Sequence, residues 1–268
     1  MNAKQLLRRP IATLFLSTSI ATIAVLGTAF TLPAVASAQA SSSADAQIQA
    51  DVTKALDKKQ FRDVHVAAQN GVVSLTGTVP VYADKEDADR RAHHRKNVRG
   101  VENKIQIAGG EVDDTTLRNK LAEKLTYDRV GYGTTAFNSI TIGVQNGVVT
   151  LGGIAYGPVD KDSALSLVGN YPGVRDVIDN IEVAPLSPND DRIRMEAFRT
   201  IYGYPSLNKY AIDPAKPIRI TVVNGNVTLT GVVDTKADRD TAGIRANSVS
   251  GVFKVTNELQ VAHEQREK

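Results

Sequence analysis

Hydrophobic and polar positions along this chain recur on a fixed ruler. A 37-residue frame runs from Gly71 to Ile107, from Gly147 to Val183 and from Gly225 to Val261, without insertion or deletion. Each frame opens on strict alternation around an Asn-Gly pair. Val64, Val66 and Ala68 precede Asn70-Gly71, and Val73 and Leu75 follow. Ile140, Ile142 and Val144 flank Asn146-Gly147 with Val149 and Leu151; Ile218, Ile220 and Val222 flank Asn224-Gly225 with Val227 and Leu229. Asn-Gly between alternating runs predicts a two-residue hairpin turn, because both turn positions need positive φ.

A helical pattern follows each hairpin, with Ala88, Ala164 and Ala242 at one frame position. A last alternating run then closes the frame, with Val101, Ile105 and Ile107 matched by Val177, Ile181, Val183 and by Val255, Leu259, Val261. Ahead of each frame an amphipathic stretch begins at Asp45, Asp114 or Asp190. Its apolar stripe is Ile48, Val52, Leu56; Leu117, Leu121, Leu125; or Ile193, Ala197, Ile201. This predicts a helix with the Asp as its N-cap. The fold class expected is α+β: three tandem αββαβ units, each a small three-stranded mixed sheet with two helices on one face. The third strand should pair in parallel with a hairpin strand, since a helix crosses between them. Units of this size have marginal cores, and the short joints place neighbours close enough to touch.

The chain divides into a leader at 1–40 and units at 41–107, 111–185 and 188–263. Lys4, Arg8 and Arg9 precede an uncharged apolar stretch, and Ala36-Ser37-Ala38 or Ala38-Gln39-Ala40 supplies a small-x-small cleavage site. That is the pattern of an export signal cut near Ala38 or Ala40. The full chain holds 32 basic and 29 acidic side chains; removing the three leader cations leaves 29 against 29. A neutral mature protein lacks the basic field that nucleic-acid binding needs, and no nucleic-acid partner is expected. The absence of cysteine excludes disulfides and thiolate chemistry, and with export it points to a bacterial periplasm.

The motifs Asn-Gly-Val-Val-x-Leu-x-Gly and Gly173-Val174-x-x-Val177-x-x-x-Ile181-x-Val183 resemble the BON domain, a module of bacterial exported proteins. Gly251-Val252 repeats the closing signature, and unit one departs from it with Asn97 in place of the Gly. The resemblance implies attachment to phospholipid surfaces, envelope or osmotic-stress protection and, in some members, chaperone-like help to exported proteins. Without a lipobox Cys, membrane contact is expected to be peripheral.

Two surfaces compete as binding sites. Arg90, Arg91, Arg95, Lys96 and Arg99 form the most basic stretch, a candidate patch for anionic headgroups, although a helix with acids at its start and bases at its end needs no ligand to explain it. Units two and three also carry extra segments between first helix and first strand, rich in Tyr127, Tyr132, Phe137 and in Tyr202, Tyr204, Tyr210. Those rings read either as lids on a small core or as a surface for unfolded clients. Gly131-Tyr132-Gly133 follows a helix and precedes a strand, the wrong context for a dinucleotide fingerprint. Adjacent His93 and His94 diverge on a helix and make a poor metal pair. No catalytic residue, cofactor or metal is expected, and the partners expected are an anionic phospholipid surface or envelope proteins.

Overall fold

The computed structural model describes residues 34–110, 112–127, 135–213 and 216–262, with side chains from residue 43 onward. Three small sheets follow one another, each with its long hairpin strand in the centre. In unit one, β1 (Val64–Gln69) pairs antiparallel with β2 (Val72–Val79), while β3 (Gly100–Asn103) and β4 (Gln106–Ile107) lie parallel to the other side of β2. Unit two repeats this with β5 (Ser139–Gln145), β6 (Val148–Ala155) and an unbroken β7 (Asp176–Val183). Unit three has β8 (Arg219–Val223), β9 (Asn226–Val233) and β10 (Lys254–Val261). The parallel third strand and the α+β class are as the pattern predicts.

Two helices cover one face of each sheet. They are α1 (Ala34–Ala55) and α2 (Tyr82–His93), then α3 (Asp114–Tyr127) and α4 (Pro158–Gly169), then α5 (Pro188–Tyr202) and α7 (Lys236–Asn247), with the short α6 (Lys209–Ile212) inserted before β8. The apolar ruler is the core. Ile48, Val52 and Leu56 meet Val73, Leu75, Ala88 and Ile105 in unit one, and Leu117, Leu121, Val149, Leu151 and Ala164 meet in unit two. Helix α1 begins earlier than Asp45 and runs through both candidate cleavage positions; the rest of the leader lies outside the described residues.

Glycines close the hairpins from behind. Gly77, Gly153 and Gly231 take φ of +108°, +86° and +129°, and a Cβ there would sit 1.9, 2.0 and 2.6 Å from the carbonyl oxygens of Asp63, Ser139 and Pro217. Only an absent side chain lets the strand lie that close to the backbone entering the hairpin.

The units touch. Tyr82 of α2 packs on the unit-two core and lies over Gly169. Burial, with Glu86 and Asp176 beside it, holds the Tyr82 phenol well above its usual range. Phe61 plugs its own unit, whereas Phe137, at the same frame position, joins the core of unit three. There it stands 5.7 Å from Phe198, whose ring is 4.7 Å from Tyr202. The Arg194 guanidinium, 2% exposed, lies 4.7 Å from the Tyr156 ring, bonds Asp191 and donates to Val222 O at 3.0 Å. Units two and three thus share one apolar joint with a buried cation at its edge.

Candidate functional site

The same end of every unit carries the Asn-Gly turn, and its geometry is repeated threefold. Asn70, Asn146 and Asn224 adopt φ of 52°, 53° and 51°, followed by glycines at 78°, 75° and 75°. The two backbone N–H groups of each turn donate to one carboxylate. Asp45 accepts from Asn70 and Gly71 at 2.7 and 2.9 Å, Asp114 from Asn146 and Gly147 at 2.6 and 2.9 Å, and Asp190 from Asn224 and Gly225 at 2.8 and 2.8 Å. This corrects the N-cap assignment. The caps proper are Asp113, which accepts from Thr116 N at 2.8 Å, and Ser187, which accepts from Asp190 N at 3.2 Å. Each sequence-predicted Asp is instead a long-range clamp joining the first helix to the hairpin.

The strand that closes each frame is tied to the same pole. Arg99, Arg175 and Phe253 donate their backbone N–H to Gly71 O, Gly147 O and Gly225 O at 2.8 to 2.9 Å. Their side chains lie over the bare turn glycines, the Arg99 and Arg175 stems in the first two units and the Phe253 ring in the third. Asn97 resolves the departure of unit one, since it takes φ of 65° where Gly173 and Gly251 take 91° and 87°. Asn is the residue other than Gly that most readily adopts this conformation. The pole therefore keeps one backbone frame and varies the group presented outward.

At the unit-one pole the basic stretch divides in two. Asp87 accepts from Arg90 at 2.6 Å and from Arg91 at 2.7 Å, and Arg91 also sits 5.9 Å from the Phe61 ring. Burial pushes the Asp87 carboxyl up, but the bonds from Arg91 and Arg90 outweigh it and its pKa falls below the usual range. These two cations are matched on their own helix. Arg95, Lys96 and Arg99 are exposed and have no carboxylate partner among the described residues. Arg95 donates from Nε to Arg91 O at 3.1 Å, which fixes its stem at the end of α2. The five cations named from the sequence thus reduce to three without a carboxylate partner among the described residues, and of these Arg99 lies over the Asn70-Gly71 turn.

The aromatic candidates separate by burial. Phe137, Tyr202 and Tyr210 are 8%, 6% and 4% exposed and belong to the unit-three core, so they are closed to a client while the fold is intact. Tyr202 donates to Ile218 O at 2.7 Å, and Tyr210 donates to Asp238 at 2.9 Å while accepting from Asp234 N at 2.7 Å. Tyr127 and Tyr204 are exposed at 51% and 39%, with Arg245 lying 5.2 Å over the Tyr204 ring; Tyr132 lies outside the described residues. Tyr202 and Tyr210 find their hydrogen-bond partners within unit three, while Phe137 crosses from unit two to pack on Phe198.

Around Tyr210 sits an ionic cluster that sequence spacing does not reveal. Lys209 bridges Asp234 at 2.8 Å and Asp238 at 3.0 Å, and Asp238 is 5% exposed. Burial raises the Asp238 pKa, but bonds from Lys209, Tyr210 and Thr235 prevail and the carboxyl titrates below its usual range. A carboxyl depressed by folding contributes stability above its unfolded pKa and loses it as pH falls through the folded one. Thermal melts should therefore show a loss setting in below about pH 4, and Asp238→Asn should flatten that acid limb. An unaltered pH slope in the variant assigns the acid loss to other carboxylates.

The BON domain profile matches three segments of the chain, residues 44–109, 113–185 and 206–263. Over 191 residues the chain is 23% identical to Osmotically-inducible protein Y of Escherichia coli (strain K12), which spans 70% of this chain and 92% of that protein. Among solved structures, the C-terminal domain of CdsD, a structural protein of the type III secretion system of Chlamydia trachomatis, aligns with 79% of this chain and 96% of its own at 15% identity and a TM-score of 0.22. A second CdsD structure aligns with 82% and 96% at 17% identity and the same score. Overlap that low carries no weight for fold or function. The threefold hairpin, its turn geometry and the three matched segments together place the chain in the BON domain family.

Proposed function

We propose that this BON-domain chain is a non-catalytic periplasmic protein that binds anionic phospholipid surfaces peripherally and protects the envelope under osmotic stress. The observation that carries the reading is the run of Arg95, Lys96 and Arg99 between α2 and β3, exposed and without acidic partners among the described residues. Cations near an anionic leaflet gain about 1 kcal/mol each, so three acting together favour an anionic over a neutral surface by a factor on the order of 100 at low salt. The likeness to Osmotically-inducible protein Y supports the osmotic-stress setting. Chaperone-like binding of unfolded exported proteins is the weaker reading, because burial removes Phe137, Tyr202 and Tyr210 from its surface.

Co-sedimentation distinguishes the two. Vesicles containing phosphatidylglycerol should recover more of the mature protein than phosphatidylcholine vesicles, and added salt should erase the difference. Reversing Arg95, Lys96 and Arg99 to Glu should abolish the preference, whereas reversing Arg90 and Arg91 should reduce it less, since both are already engaged by Asp87. Equal recovery on both vesicle types sinks the membrane reading.

A further inference from the structure

A cavity between units two and three holds an arginine without a hydrogen-bonding partner among the described residues. Arg219 projects from β8 into a space of about 100 Å³ lined by Ala122, Leu125, Ile140 and Ile142 together with Thr126, Thr135 and Asn138. Its side chain is only partly accessible, and no hydrogen bond or ion pair joins its guanidinium to another described residue. Burial lowers its pKa, and the Tyr202 phenol nearby offsets this only in part. Arg194, also at this joint, differs in having Asp191 and Val222 O as partners, and only its Nε is left without one.

Neighbouring polar groups are mostly committed. Asn138 donates to Asp160 at 3.0 Å and accepts from Tyr156 N at 2.8 Å, and Thr126 donates to Ala122 O at 2.9 Å. The Thr135 hydroxyl has no protein partner among the described residues. What remains is a fork of unused cationic donors and one hydroxyl at the head of an aliphatic slot. Such a fork matches a carboxylate in shape and charge, and an aliphatic wall with few polar groups is the usual makeup of a small-molecule site.

We infer that the joint between units two and three is a binding site for a small amphipathic anion, a carboxylate on a short aliphatic chain, held by Arg219 and Thr135. The carboxylate takes the charge of Arg219 and its chain lies against Leu125, Ile140 and Ile142. Because Arg219 comes from unit three and the slot from unit two, an occupant bridges the two bodies and stabilises their docking by mass action. The site is separate from the unit-one pole and stands whether or not that pole binds lipid.

Calorimetric titration of the full chain with sodium hexanoate should show one saturable site. Hexanol and hexylammonium, equal in apolar length, should not saturate it. Arg219→Gln should weaken hexanoate binding at least about tenfold, the loss expected for a charge-assisted pair. Since this substitution removes a partly buried cation without a partner, the ligand-free variant should melt no lower than the parent. Should it melt lower, the three-ligand comparison on the unaltered chain decides by itself. No saturable uptake of hexanoate, equal uptake by the Arg219→Gln protein, or equal uptake of hexanol overturns the site.

Discussion

Gly153→Ala is expected to destabilise unit two by about 3 kcal/mol or more, enough to unfold a unit of this size near its working temperature. Two costs add. The φ of +86° belongs to a region that L side chains rarely occupy, and the new methyl would stand 2.0 Å from the Ser139 carbonyl oxygen. No side-chain rotation relieves that contact, because the obstructing atom is backbone at the start of β5. Relief requires β5 to swing away from β6, which breaks the antiparallel pairing from Ser139↔Ile154 inward. Gly143→Ala in the neighbouring strand β5 is the control. A Cβ there meets nothing within 4 Å and φ is not positive, so the change should be near neutral or slightly stabilising. Paired thermal melts check the contrast. Similar midpoints for the two variants overturn the close-approach account of this glycine.

Much of this architecture is legible in the chain because a strand of period two and a helix of period 3.6 leave their buried faces in the sequence. Leu75, Leu151 and Leu229 recur at one frame position and all three are fully buried. The Asn-Gly pairs name their own turn for the same local reason, since few other residues tolerate both dihedrals. What the pattern hides is long-range. Asp114 looks like an N-cap because it precedes an apolar stripe, yet its carboxylate is spent 32 and 33 residues away on Asn146 and Gly147. The first helix sits at a different distance from the turn in each unit, so the frame that aligns everything after the hairpin says nothing about this partner.

Burial of the rings escapes sequence reading for a related reason. Phe137 and Phe61 share a frame position, but one fills its own unit and the other fills the next. Inter-unit packing of that kind depends on how the joint folds, which no periodicity encodes. The basic stretch is intermediate. Arg90 and Arg91 stand three and four residues after Asp87, a spacing that already announces pairing on a helix. Divergence among the three units is itself informative: the clamp, the turn and the strand glycine stay constant, while the outward group at the pole changes from Arg99 to Arg175 to Phe253. Constancy marks what the backbone requires and variation marks where each unit meets its surroundings. Phe253, 83% exposed, puts an apolar ring where units one and two carry arginine.

The clamp gives the second large effect. Asp190→Ala should cost unit three about 3 kcal/mol, because it strands two backbone N–H groups that donate to its carboxylate. Asp190 is 1% exposed, and Gly225 N is buried where it donates, so water cannot replace the lost oxygens without opening the turn. Asp190→Asn should recover little: one amide oxygen serves one N–H while the amide NH2 is turned against the other donor. The sibling sites set the scale. Asn70 N and Asn146 N donate to Asp45 and Asp114 at exposed positions, where solvent can take over part of the bonding. Asp45→Ala and Asp114→Ala should accordingly cost less than Asp190→Ala, on the order of 1 kcal/mol each. Denaturant melts of the three single variants test the ranking. If all three lose stability equally, or Asp190→Ala loses none, the carboxylate is not what holds the hairpin to its helix.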